Sequence, residues 1–142
     1  MIDLHFDLLT KLYISYLEND FKYIEQFMNN LNNDNVEGLI ANLSFMSKEE
    51  MIKEYHRRYY DKYVSVVDMF KISKYLLDKY LPNNILVIMS IEGCDYVDIK
   101  DLDVLYNIGL RAVLPIWNEE NKYGSGNRTN KVLTDIGKEF IL

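Results

Sequence analysis

Residues Ile85–Ile91 read ILVIMSI, a continuous apolar run with Pro82-Asn83-Asn84 before it and Gly93 soon after. The run has strand length. A strand that is apolar at nearly every position, rather than at alternate ones, has both faces buried, as in a parallel sheet covered by helices. This feature limits the fold more than any other, because the rest of the chain must then supply helices and further parallel strands.

The remaining segments alternate accordingly. Ile2–Asp7 is a short strand candidate. Positions 8–31 read as helical, with Asn19-Asp20 as a break and Asp20 as N-cap of a second helix. Asn29–Asn35 is a polar turn, and Val36–Met46 (VEGLIANLSFM) is a mixed apolar run of strand type. Ser47 with Glu50 fits a capping box that opens a helical stretch reaching Tyr80, with a break near Tyr60-Asp61. Asp98–Asn107 is a short helix ended by Gly109. Leu110–Trp117 (LRAVLPIW) is a fourth strand, and Pro115 counts against a regular ladder near its end. Glu119–Val132 is a polar loop, and Thr134 caps a last helix starting at Asp135.

The order β-α-β-α-β-α-β-loop-α favours βαβ units and a parallel sheet. Four such units are about half of a (β/α)8 barrel, which needs roughly 250 residues. The fold expected for 1–142 is therefore α/β, a single incomplete barrel domain with strands near 2–7, 36–46, 85–91 and 110–117. A doubly wound sheet is the open alternative. No GxGxxG follows the first strand, which weakens its nucleotide-binding version.

Composition removes several function classes. The 142 residues are 49% hydrophobic and 27% charged, which suits one packed domain. A net charge of -6 opposes nucleic-acid and anionic-lipid partners. The single cysteine, Cys94, excludes an intrachain disulfide and fits a reducing compartment. The N-terminus lacks a signal-peptide pattern, and no apolar run is long enough to span a bilayer. The expectation is a soluble cytoplasmic protein.

The chemistry centres on two places. In Asp3-Leu4-His5-Phe6-Asp7, residues two apart share a strand face, so His5 and Asp7 project together and Asp3 can join them. An imidazole and a carboxylate side by side at a strand's C-terminal end can hold a divalent metal. The alternative is a buried or rim histidine hydrogen-bonded to an acid. Glu92 ends the Ile85–Ile91 run. A carboxylate there needs a partner, either a metal or a structural group such as Arg111 or a helix end. His56, among charged neighbours, reads as a surface residue. Cys94 reads as a small packing residue, and two histidines leave no basis for a Ser-His-Asp arrangement.

Taken in order, the motifs resemble the renal (membrane) dipeptidase family. Asp3-x-His5-x-Asp7 is similar to the family's DxHxD opening. Val36-Glu37-Gly38 with Ala41 and Phe45 resembles its second strand, and Ile91-Glu92-Gly93 matches its I-E-G. The stretch Leu102 to Arg111 resembles its L..LY..GVR. Trp117-Asn118-x-x-Asn121-x-x-Gly124-x-Gly126 resembles a loop of bacterial members, and Leu133-Thr134-x-x-Gly137 the start of the next helix. The similarity runs the length of the chain.

The resemblance implies a metallo-dependent, hydrolase-like (β/α)8 barrel, a zinc metallopeptidase that cleaves dipeptides. It implies two zinc ions that activate a water for attack on the peptide carbonyl. His5 and Asp7 would bind one zinc, Glu92 would bridge both, and Trp117 and Asn118 would stand near the dipeptide. The second zinc takes two histidines from later strands, and the family's next strand, with D-x-x-H, would begin beyond Leu142. The chain is thus expected to hold at most one well-liganded zinc and to be inactive alone, as the N-terminal part of such an enzyme. The alternative is a non-catalytic remnant serving as a folding or interaction module. An open half-barrel would self-associate or pair with a C-terminal barrel fragment.

Overall fold

The computed structural model describes residues 1–44, 64–127 and 132–142. The expected Ser47–Glu50 capping box, the break near Tyr60-Asp61 and His56 lie outside the described residues.

Four strands, β1 (Ile2–Phe6), β2 (Gly38–Ser44), β3 (Leu86–Glu92) and β4 (Leu110–Leu114), form one sheet in the order β1-β2-β3-β4. All three pairings are parallel. The order never reverses, whereas a doubly wound sheet reverses at its switch point. Five α-helices are described: α1 (Leu8–Glu18), α2 (Phe21–Asn33), α3 (Val66–Tyr80), α4 (Leu102–Ile108) and α5 (Asp135–Ile141).

Local signals set the boundaries. Asn19 takes the left-handed conformation and ends α1, and the Asp20 carboxylate accepts from the Tyr23 amide to open α2. Ser65 caps α3 by accepting from the Asp68 amide. Two 3-10 turns, Cys94–Tyr96 and Ile99–Asp101, precede α4, which ends at Gly109. The Thr134 hydroxyl accepts from the Gly137 amide and opens α5. The fourth strand stops at Leu114 rather than Trp117, because Pro115 has no amide hydrogen to extend the ladder.

The core lies on one side of the sheet. Leu39, Ala41 and Leu43 of β2 and Met89 and Ile91 of β3 are buried with Leu8, Leu9 and Leu12 of α1 and Met69, Phe70, Leu76 and Leu77 of α3. The buried Ser73 hydroxyl donates to the Leu9 carbonyl at 2.9 Å and ties α3 to α1.

The other side differs from the sequence expectation. Leu86, at 80% exposure, and Ile88 alternate with the inward-packed Val87 and Met89, so among the described residues the first half of β3 is covered on one face only, while Ser90 and Glu92 farther along the other face are buried. By register, Ile2, Gly38 and Leu86 share the face away from the core at one end of the strands. Asn42 with Ser90, and Ser44 with Glu92, share it at the other end. This face is therefore apolar toward the strand N-termini and polar toward their C-termini.

Candidate metal centre

His5, Asp7 and Glu92 meet at the C-terminal end of the sheet. One donor atom from each lies within 4.8 Å of the other two. His5 Nε2 is 3.2 Å from Glu92 Oε2. Glu92 is 9% exposed, while His5 and Asp7 face outward. Glu92 is the last residue of β3, so its carboxylate reaches the rim from a strand whose other face is core.

A β-bulge places the other two donors. Asp3 pairs with Leu39 and Phe6 with Ala41, so three steps along β1 match two along β2. Past the bulge, alternation resumes. Phe6 turns to the helix side and stacks on Phe27 at 5.7 Å between ring centroids, and its neighbours His5 and Asp7 take the opposite face. The bulge also separates Asp3 from the site. Its carboxylate accepts the His5 backbone amide at 3.0 Å instead. Asp7 stands at the N-cap of α1, but its side chain makes no cap hydrogen bond.

Asn42 completes the cluster. Its Nδ2 donates to Asp7 Oδ1 at 2.9 Å and to Glu92 Oε2 at 3.1 Å, and its Oδ1 accepts from Ser90 Oγ at 2.9 Å. Sequence reasoning passed over Asn42. The available signal was an amide inside the apolar strand Gly38–Ser44, since a buried amide needs partners. The structural partner proposed for Glu92, Arg111, is engaged elsewhere: its guanidinium donates to the Tyr106 and Leu110 carbonyls and stacks over the Tyr106 ring.

The donor set suits a divalent cation. One imidazole nitrogen and two carboxylates are donors that divalent metals accept. The 3.2 Å between His5 Nε2 and Glu92 Oε2 is also the distance of a direct pairing, as the rim-histidine alternative has it.

Trp117 and Asn118 follow β4, the neighbour of β3, and so leave the sheet at the same end as Glu92. Trp117 is 63% exposed. Their loop is pinned by Asn121, which donates to the Pro115 carbonyl at 2.8 Å and accepts from the Tyr123 amide at 2.9 Å. A Cβ at Gly126 would overlap the backbone of Trp117 and Asn118, so only glycine lets the loop close there. The Tyr123 side chain is fully buried, and its hydroxyl donates to the Val97 carbonyl. Lys122 pairs with Asp98 at 2.7 Å and holds that exposed carboxyl below the usual range.

Cys94 is two residues beyond Glu92 but fully buried. Burial, helped by Asp95, pushes its thiol up to about 12, which suits packing and not nucleophilic attack.

Comparison of the chain with protein-family models, with curated proteins and with solved structures finds no match in any of the three. Among the described residues, no helix is long and apolar enough to cross a membrane.

Proposed function

We propose that this chain carries the metal-binding part of a zinc-dependent dipeptidase of the membrane-dipeptidase type, built on the first four βα units of a (β/α)8 barrel. The observation that carries the reading is the convergence of His5, Asp7 and Glu92 from two different strands onto the C-terminal end of one parallel sheet. Active sites of parallel barrels stand at that end, and apolar layers fill the interior below it. The face away from the core divides in the same way, with the exposed Ile2, Leu86 and Ile88 below and the polar donors above.

In this reading His5, Asp7 and Glu92 hold the ion. A bound divalent metal supplies an acidified water and a polarised carbonyl. Glu92 contributes a carboxylate already freed of water on most of its surface, and His5 and Asp7 bring the open side of the site. The sequence contains only two histidines, His5 and His56. A second zinc of the family type, with its own histidine pair, needs residues from elsewhere, so the chain alone is proposed to bind metal without turning over dipeptides.

Calorimetric titration with zinc tests the first part. One ion per chain is expected for the wild type, with loss of that site in His5→Ala and Glu92→Gln. Binding that survives both substitutions would sink the proposal. A dipeptide assay on the zinc-loaded chain tests the second part: the expected result is no turnover, and robust turnover abolished by His5→Ala would overturn it.

The bare sheet face favours a second reading, an interaction module. Parallel sheets are ordinarily covered on both sides, and among the described residues β1 and β4 both leave an unpaired edge. The occupant proposed is a second copy of this chain, which presents the same parallel edges and the same apolar face. A monomer at high concentration by light scattering would exclude it, and would leave a fragment carrying the remaining strands as the partner to test.

A further inference from the structure

Asn42 is 2% exposed, and the Ser90 that holds it is also buried. A primary amide has two N–H bonds and one carbonyl. Here the nitrogen faces the carboxylates of Asp7 and Glu92 and the oxygen faces the Ser90 hydroxyl. The reversed amide would turn its carbonyl toward two carboxylates, so the network permits one orientation. Ser90 itself comes from β3, two residues before Glu92, and sits opposite Asn42 in the parallel register.

We propose that Asn42 is a positioning residue for the metal centre, which sets the separation and direction of the Asp7 and Glu92 carboxylates before a cation arrives. The inference rests on the metal-centre reading above. Two carboxylates that close repel one another, and the exposed Asp7 would otherwise turn toward water. The Asn42 amide offers both of them hydrogen atoms at once and removes part of that repulsion. It also fixes the Asp7 side chain, so less ordering remains to be done on binding. Outer-sphere hydrogen-bond partners of this kind alter metal affinity by roughly 10–100-fold. Asn42 reaches both acids from β2, the strand between β1 and β3.

The test compares zinc affinity in the wild type, Asn42→Leu and Ser90→Ala. Asn42→Leu keeps the volume and removes both donors; its zinc Kd is expected to rise by about 10–100-fold. Ser90→Ala keeps the donors and frees the amide to turn, and a smaller loss is expected. Equal affinity of the wild type and a folded Asn42→Leu overturns the inference and leaves the metal centre standing. Absence of zinc binding by the wild type overturns the metal centre, and the inference with it. A readout without metal guards against a variant that fails to fold. In the metal-free wild type, the Asn42 side-chain N–H signals in nitrogen-15 NMR should be protected from exchange, and should move in both Asp7→Asn and Glu92→Gln. Signals indifferent to both substitutions overturn the inference.

Discussion

Cys94 and Glu92 lie two positions apart and illustrate opposite uses of burial. Cys94 is sealed, its sulfur 3.7 Å from the Leu114 carbonyl, and its thiol is pushed up to about 12. Thiol-directed reagents at pH 8 should therefore label the native chain at least about tenfold more slowly than the chain in denaturant. Rapid labelling of the folded protein would show that this packing is wrong. Glu92 is nearly as buried, yet its carboxylate meets His5 and Asn42. A carboxylate is costly to place there without a cation or donors, and Asn42 and His5 supply the donors.

At the scale of elements, the start of α5 packs closely on Lys122 and Tyr123 of the loop after β4. The Thr134 amide donates to the Tyr123 carbonyl at 3.1 Å, and its hydroxyl donates to the Lys122 carbonyl at 2.7 Å. Gly137 sits directly against the Tyr123 carbonyl, where an added Cβ would overlap it. Gly137→Ala should then destabilise the chain by about 1–3 kcal/mol through overpacking. The shift would be read as a lower urea midpoint with an unchanged slope. An unchanged midpoint would mean that α5 does not dock on Tyr123 in solution. The β1 bulge matters in the same way. It separates Asp3 from His5 and Asp7, and so it limits the site to three donors where simple alternation allowed four.

At the scale of the molecule, the described residues form a parallel sheet with its core on one side and exposed apolar residues at the strand N-terminal end of the other. Leu4, at 72% exposure, adds to Ile2, Leu86 and Ile88. Patches of this kind drive association. If they do so here, Leu86→Lys should shift sedimentation toward the monomer while leaving zinc binding at the distant strand ends intact. A variant that sediments like the wild type would remove this face from the interface.

The strand-helix alternation, the Asp20 and Thr134 caps, the stop at Gly109 and the pairing of His5 with Asp7 were all legible in the sequence, because each depends on neighbours a few residues away. A continuous apolar run likewise marked β3 correctly as a strand. The run by itself pointed to two buried faces; an open apolar inner face followed only from reading the chain as half of a barrel, since burial depends on what the rest of the chain brings to that face. Nor could local patterns show the bulge, which is a mismatch between two strands, or Asn42, whose partners lie 35 and 50 positions away. Local chemistry thus determined which side chains could bind a metal. Only the parallel register of β1, β2 and β3 decided that His5, Asp7 and Glu92 meet, and that an amide from the middle strand lies between the two acids.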